Sequence, residues 1–289
     1  MRTYLDCLPC LLRQALDAAR RAHAAVEIQQ EVVNRVARVL PDLRIDTTPV
    51  ELGCEVHRIV REILGVDDPY RSAKRADNER ILRLLPRLRG LIARSDDRLL
   101  TSLKLAAAGN TIDFGAGHPM DVEHAIEHAL NDGGRLGEYG AFAGQLDRVE
   151  DVLYLGDNAG EIVFDRLVVK ELVDRGKRVT FVVRGRPILN DATLEDAHFV
   201  GMSELADVVS SGSSGPGTAR SLCGPAFLRR FEHAGLILSK GQGNYEGLSE
   251  EEAPLFFLLK VKCPVVAADL EEDVGTIVLR SQGRRGTGR

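Results

Sequence analysis

Five short apolar runs, most of them β-branched, recur through the second half of the chain at residues 152–155, 179–183, 207–210, 236–239 and 265–268. Their starts lie 27, 28, 29 and 29 residues apart. A period of that length holds a strand, a crossover helix and two loops. Repeated, it predicts an α/β fold with a doubly wound, mainly parallel sheet. Helical periodicity fills the intervals, as between Glu161 and Arg175, with Gly176 as the stop. A further run at 276–279 predicts an edge strand, and the Gly/Arg-rich tail from 281 to 289 predicts a frayed end.

The first half has a different texture. Leu11, Leu12, Ala15, Leu16 and Ala19 recur at helical spacing, as do Ile28, Val32, Val33, Val36, Val39 and Leu40. Residues 50–64 predict an amphipathic helix closed by Gly65, and Pro86 predicts a kink or break within 81–92. A helix over 99–108 is expected to end at Gly109-Asn110, and one over 121–130 at Asn131-Asp132-Gly133-Gly134. No strand is expected here. The organisation that follows is a helical N-terminal module (1–145), an α/β module (146–280) and a flexible tail (281–289).

Composition narrows the partners. The chain has 289 residues and a formal net charge of −5, with −2 before residue 150 and −3 after it. Neither half is a basic footprint, and with no Trp and only 5% aromatics there is little to stack on bases, so nucleic acid is not expected as a partner. No apolar run is long enough to span a bilayer, and the start Met1-Arg2-Thr3-Tyr4 does not read as a secretory signal. Five cysteines, an odd number, do not make a disulfide scaffold, and a reducing cytoplasmic setting is expected.

In an open parallel sheet, ligands bind outside the carboxyl ends of the strands. The loop after the first run reads Gly156-Asp157-Asn158-Ala159-Gly160-Glu161, and after the second Arg184-Gly185-Arg186-Pro187-Ile188-Leu189-Asn190-Asp191. The third is followed by a Ser/Gly-rich loop from Ser210 to Thr218, which includes Ser211 and Gly212. The fourth leads into Lys240-Gly241-Gln242-Gly243-Asn244. All four bear glycine and polar groups, which predicts a shared polar site along one edge. Asp157, Asn158 and Asp191 form a hard-oxygen set suited to Mg²⁺ or Mn²⁺. Helix capping is the competing reading of each acid. The 210–218 loop suits a phosphate or other anion, or is a flexible connector. No Gly-Lys-Ser/Thr and no post-strand Gly-x-Gly-x-x-Gly occurs, which demotes P-loop and dinucleotide chemistry. What remains points to metal-assisted chemistry on a phosphate ester.

The strings YLGDNAGEIVFDRL, VRGRPILNDAT, SKGQGNYEGLSE and the N-terminal DCLPCLLRQAL resemble the damage-control phosphatase family, metal-dependent phosphatases long grouped under a domain of unknown function. The Cys-x-x-Cys near the start resembles that family's prokaryotic-type subfamily. DPYRSAK at 68–74 and AAAGNTIDFG at 106–115 extend the likeness over nearly the whole chain. The resemblance implies a helical N-terminal region packed on a three-layer αβα sandwich. It implies a divalent metal (Mn, Ni, Co or Mg) held by Asp157, Asn158 and Asp191, and hydrolysis of phosphomonoesters such as sugar phosphates or damaged phosphometabolites. The loop carrying Lys240, Gly241, Gln242 and Asn244 corresponds to the family's substrate-contacting lysine loop. Asn110 and Asp113 resemble a family string near the cleft.

On this reading a metal-bound water attacks phosphorus in line, and Lys240 with the hydroxyl and amide loop offsets charge. Glu161 either orients the water or is a first-turn acid favoured by the helix dipole. Arg184 either contacts phosphate or holds Asp191. Asp157 as a nucleophile is the competing mechanism. Haloacid-dehalogenase-type phosphatases resemble the chain at that residue, but they carry a second Asp two positions on, where Ala159 stands here. A non-catalytic metal- and phosphometabolite-binding sensor is the alternative from another class, and a sugar-phosphate isomerase a weaker one. Cys7 and Cys10 could hold zinc if Cys54 and His57 completed the set, or they are buried or redox-prone thiols. Cys223 and Cys263 read as core or surface thiols.

Overall fold

The computed structural model describes residues 1–111, 122–131 and 136–282. Asp113 and the tail after residue 282 lie outside the described residues. Helices occupy the first half: Cys7–Arg21 (α1), Val26–Val39 (α2), Pro49–Leu64 (α3), Arg71–Leu82 (α4), Leu85–Ala93 (α5), Arg98–Thr111 (α6), Val122–Asn131 (α7) and Tyr139–Leu146 (α8). The expected strand–helix alternation follows: Asp151–Leu155 (β1), Glu161–Asp174 (α9), Arg178–Val183 (β2), Leu194–Phe199 (α10), Asp207–Ser210 (β3), Pro225–His233 (α11), Ile237–Lys240 (β4) and Gln242–Leu248 (α12). Leu255–Lys260 (β5), Pro264–Leu270 (α13) and Ile277–Ser281 (β6) complete the chain. No helix among the described residues is long and apolar enough to cross a membrane.

Local signals explain most boundaries. Thr48 caps α3 through a reciprocal box with Glu51, and Gly65 ends it in the left-handed conformation at φ 63°. The pattern around Pro86 resolves as a break, with α4 ending at Leu82 and proline in the first turn of α5.

Two expectations fail. The run at 265–268 is helical, because Pro264 opens the first turn of α13 and the Cys263 sulfur accepts from the Val266 amide. The fifth strand is instead Leu255–Lys260, a Leu/Phe run with no β-branched residue. Gly109-Asn110 does not end α6, which continues to Thr111. The reason is packing: a side chain on Gly109 would stand 2.9 Å from the Phe164 ring of α9, so this glycine serves close helix contact rather than termination.

The sheet runs in the order β3-β2-β1-β4-β5-β6, parallel except for β6, which pairs antiparallel with β5 at one edge. Helices cover both faces. On one, Tyr154, Phe181, Leu238 and Phe256 meet Leu88, Leu103, Phe142 and Phe164 of α5, α6, α8 and α9. On the other, Leu155, Ile237 and Phe257 meet Phe227, Tyr245 and Val266 of α11, α12 and α13. A third core joins α1, α2 and α3 through Leu11, Ala15, Val32, Val36 and Val56. The chain reverses direction across the sheet between β1 and β4, the position where open α/β sheets form a crevice.

Candidate active site

At the carboxyl end of β1 the chain leaves the sheet through Gly156, and Asp157 is the first polar side chain beyond it. The loop is pinned to its neighbour by backbone. Ala159 N–H donates to the Asn190 carbonyl (2.9 Å) and Ala192 N–H to that of Asp157 (2.8 Å). Asn158 and Asp191 face each other as an antiparallel bridge. Two loops whose bridged residues lie 33 positions apart in sequence thus act as one rigid unit, the support a reacting centre needs.

Around it the structure gathers Asp157, Asn158, Glu161, Asp191, Arg184 and Lys240. Asn158 Nδ2 donates to Asp157 Oδ2 (3.0 Å) and to Glu161 Oε1 (2.9 Å), which leaves its carbonyl oxygen for another partner. Arg184, 1% exposed, donates from Nε to Asp191 Oδ2 (2.6 Å) and from Nη1 to the Thr218 hydroxyl (3.1 Å). Arg184 therefore holds Asp191. Its Nη2 points at Asp157 Oδ1 from 3.6 Å, yet makes no hydrogen bond.

Lys240 is wholly buried and donates to Asp165 Oδ1 (2.9 Å), with Glu161 Oε2 3.6 Å away. Asp165 was not expected from sequence. Its position one turn after Glu161 on a helix otherwise apolar there, EIVFDRL, is the signal that could have found it. Asn110 is a full member of the site: Nδ2 donates to both Glu161 oxygens (3.0 Å each) and lies 3.5 Å from Asp157 Oδ2.

The electrostatics are those of a cation-deficient centre. Burial, together with the Glu161 and Asp191 carboxylates, pushes the Asp157 pKa well above the usual carboxylate range, against the pull of Arg184 and Lys262. Burial also raises Asp191, although Arg184 opposes it. Lys240 is drawn down by burial but lifted further by Asp165 and Glu161, so it stays charged.

Gly241, at φ 81°, is required by contact as well as by backbone, since any side chain there would overlap the Asp157 carboxylate. Asn244 braces the edge by donating to the carbonyls of Gly156 (3.1 Å) and Lys240 (2.7 Å) and accepting from Thr218. Gln242 turns away, donating to Glu246 (2.8 Å) and accepting from the Lys262 amide (2.8 Å).

Ser211 and Gly212 do not join the carboxylates. The amides of Gly212, Ser213 and Gly215 bond to Ser210, Ser211 and Ser213 hydroxyls within the loop. A side chain at Gly212 would meet the Gly224 amide nitrogen at 2.8 Å, and one at Gly215 would meet Val50 of α3 at 2.9 Å. The loop's small residues serve close packing, and most of its amides are already taken.

A divalent ion fits the donor chemistry here. Asp157, Asn158 and Asp191 offer carboxylate and amide oxygens on one rigid unit, where negative charge exceeds its compensation. Among the described residues no three His, Cys, Asp or Glu side chains form a metal-holding group, so the set depends on the amide. The four candidate zinc ligands are not gathered either. Cys54 meets the Ser214 hydroxyl (3.2 Å), while the half-buried Cys7 thiol is raised chiefly by its partial burial and then by Glu246, Cys263 and Cys10.

Comparison with known proteins shows the family. The family description of the damage-control phosphatase ARMT1-like domain matches residues 3–278. A protein of Archaeoglobus fulgidus named damage-control phosphatase is 34% identical over 95% of this chain and 97% of its own. A damage-control phosphatase of Pyrococcus horikoshii is 30% identical over 96% and 97%. An uncharacterised protein of Methanocaldococcus jannaschii reaches 36% over 95% and 93%. The crystal structure of a DUF89 family protein from Pyrococcus horikoshii superposes with a TM-score of 0.89, covering 98% of this chain and 99% of that one at 30% identity.

Proposed function

Because this chain belongs to the ARMT1-like damage-control phosphatase family, we propose that it is a divalent-metal-dependent phosphatase acting on small phosphomonoesters, with sugar phosphates or damaged phosphometabolites as the substrate class. The observation that carries this reading is the unmatched buried charge at the end of β1. Asp157 is held above its ordinary pKa beside two further carboxylates, and the Arg184 Nη2 donor aimed at it has no partner. Buried polar groups are ordinarily satisfied, and groups left wanting at a strand edge mark a site awaiting ligands.

Asp157, Asn158 and Asp191 would hold the ion. When bound, it supplies a Lewis acid that polarises a phosphoryl oxygen and lowers the pKa of a water. Arg184 keeps Asp191 in place through Nε and turns Nη2 toward the transferring group, where a phosphoryl oxygen completes its hydrogen bonding. Glu161, fixed by the amides of Asn110 and Asn158, accepts a hydrogen from the attacking water and sets its direction. Lys240 lies behind these groups, paired with Asp165 (2.9 Å) and 3.6 Å from Glu161.

A panel of phosphomonoesters assayed with Mn²⁺, Co²⁺, Ni²⁺ and Mg²⁺ tests this, comparing wild type with Asp157→Ala. Metal-dependent phosphate release that disappears in the variant supports it. If wild type binds the ion but releases no phosphate from any ester, the reading fails and a metal- and phosphometabolite-binding sensor replaces it.

A further inference from the structure

Arg184 and Asp157 leave an attraction unmade. Both side chains are buried, Nη2 stands 3.6 Å from Asp157 Oδ1, and a shift of about 0.7 Å would close that gap to a hydrogen bond. Opposite charges so near in a protein interior draw together unless something holds them apart. The bond from Nε to Asp191 Oδ2 (2.6 Å) is a single anchor, about which the guanidinium could still turn. The second bond, from Nη1 to the Thr218 hydroxyl (3.1 Å), stops that turn.

Every link beyond it has only one polarity open to it. An arginine nitrogen can only donate, so the Thr218 oxygen accepts, and its own hydrogen goes to Asn244 Oδ1 (2.8 Å). The Asn244 amide nitrogen then donates to the carbonyls of Gly156 (3.1 Å) and Lys240 (2.7 Å), which can only accept. Thr218 and Asn244 are wholly buried, so bulk water does not compete for these bonds. The chain of bonds therefore runs from the loop after β2, through those after β3 and β4, to the end of β1 that presents Asp157. The Thr218 backbone is clamped too: a side chain on Gly247 of α12 would overlap its carbonyl, and one on Gly217 would overlap the Gly243 carbonyl. What the Ser/Gly loop contributes to the site is one hydroxyl in a fixed place.

We propose that Thr218 is a positioning residue that holds the Arg184 guanidinium off Asp157, which keeps Asp157 Oδ1 open to the divalent ion and Nη2 open to a phosphoryl oxygen. The inference rests on the phosphatase reading for what those two atoms meet. Without the hydroxyl, Nη1 faces an apolar group, the guanidinium turns about Nε, and Nη2 closes on Asp157. The ion then has to displace a charge-assisted hydrogen bond to gain that carboxylate.

Two measurements test this without turnover. Calorimetric titration of metal-free protein with Mn²⁺ should show Thr218→Val, which keeps the shape and loses the hydroxyl, binding about tenfold more weakly, the scale of a hydrogen bond between charged groups. Thr218→Ser keeps the hydroxyl and should bind within about twofold of wild type. In crystals of metal-free Thr218→Val, Arg184 Nη2 should lie about 3 Å from Asp157 Oδ1. Should Thr218→Val not fold, Thr218→Cys takes its place in both measurements, because a thiol of the size of the serine hydroxyl is only a weak hydrogen-bonding group.

Wild-type Mn²⁺ affinity in Thr218→Val overturns the proposal. So does equal weakening in Thr218→Val and Thr218→Ser, which would trace the effect to the lost methyl or the loop rather than the hydroxyl, or an Arg184 that has not moved. If Thr218→Cys is the variant used, binding equal to that of Thr218→Ser overturns it in the same way. Failure of the phosphatase reading looks different: wild type binds Mn²⁺ and releases no phosphate, while the contrast between Thr218→Val and Thr218→Ser persists. If wild type takes up no Mn²⁺, the metal reading fails and the position of Arg184 in the crystals decides whether Thr218 holds it.

Discussion

Two buried charge clusters lie either side of the turn at residues 158–160, and they differ in how completely their members are paired. On the α4 side, Lys74 meets Asp68 (2.8 Å) and Asp196 (3.2 Å), and Asn78 donates to Asp196 (3.0 Å) while accepting from the Gly160 amide (2.7 Å). Thr193 adds its amide and hydroxyl to Asp196 as a capping box. On the other side, Asp157, Glu161, Asp165 and Asp191 share Arg184 and Lys240, and polar atoms of Arg184 and Asp165 lack partners. A satisfied network braces a fold, whereas an unsatisfied one stores electrostatic cost where a ligand can relieve it. The first cluster holds the turn still and the second uses it.

The largest expected effect follows from neutralising the unsatisfied cluster. Asp157→Asn should lower phosphate release by about a thousandfold or more, the scale seen when a group essential to charge stabilisation is lost. It should also stabilise the metal-free protein. The folded-state pKa of Asp157 is raised above its unfolded value, so the native state holds the proton more tightly. Stability is therefore lost as pH rises from the unfolded value through the folded one. Asparagine removes that loss. Thermal melts of metal-free protein at pH 5 and pH 8 check it: the variant's advantage should be larger at pH 8, and a variant less stable than wild type there would break the contrast.

A backbone test comes next. Gly241→Ala brings a methyl group against the Asp157 carboxylate, at a left-handed position. Gly176→Ala has comparable φ but open space around it. Both should lose about 1 kcal/mol of stability from backbone strain. Only Gly241→Ala should also lose activity, about a hundredfold, as a reacting group moves by a fraction of an ångström or more. Equal activities in the two variants would mean that the Gly241 contact does not position Asp157.

For the satisfied cluster the expectation reverses. Lys74→Met leaves Asp68 and Asp196 without their cation in a buried place, and should cost about 3–5 kcal/mol in urea unfolding. The activity of the folded fraction should change little beside the effect of Asp157→Asn. If Lys74→Met instead abolished turnover at unchanged stability, the α4 cluster would belong to the chemistry and the distinction would collapse.

The two clusters were unequally legible in the sequence. Asp157, Asn158 and Asp191 announce themselves because acids flanked by glycine follow strands whose spacing is regular. Glu161 closes the first of these loops, and Lys240 stands at the end of the fourth strand, on the same edge. Asn110 was placed near the cleft by resemblance alone, since Gly109 beside it reads as a helix stop. Its true partner, the Phe164 ring, is 55 residues away in sequence and invisible to local pattern. β5 was missed because LFFLLK carries no β-branched residue, although it lies in the sheet interior between β4 and β6. Val265 and Val266 drew the strand assignment instead, where Pro264 and Cys263 set a helix start. Lys74, Asn78 and Asp196 are joined only in three dimensions.

The smallest expected effect tests whether lack of a partner is enough to mark function. His57 on α3 is 3% exposed, and its Nε2, like Arg184 Nη2, has no hydrogen bond. Burial, aided by Arg61, lowers its pKa from 6.5 to about 4, so the ring is neutral in the fold at physiological pH. A neutral, unpartnered nitrogen costs far less than an unpaired charge, so this site needs no ligand to relieve it. The linkage runs opposite to that of Asp157. The unfolded chain takes up the proton first, so stability is lost as pH falls from about 6.5 to about 4, by about 3 kcal/mol in all. His57→Leu should unfold in urea much like wild type at pH 7.5 and with a clear advantage at pH 4.5, while phosphate release at neutral pH stays within about twofold, as for substitutions remote from the chemistry. A large loss of activity would show that any orphaned buried atom near these loops matters. Retained activity with the predicted acid advantage would confine the functional signal to the charged, incompletely paired groups at the end of β1.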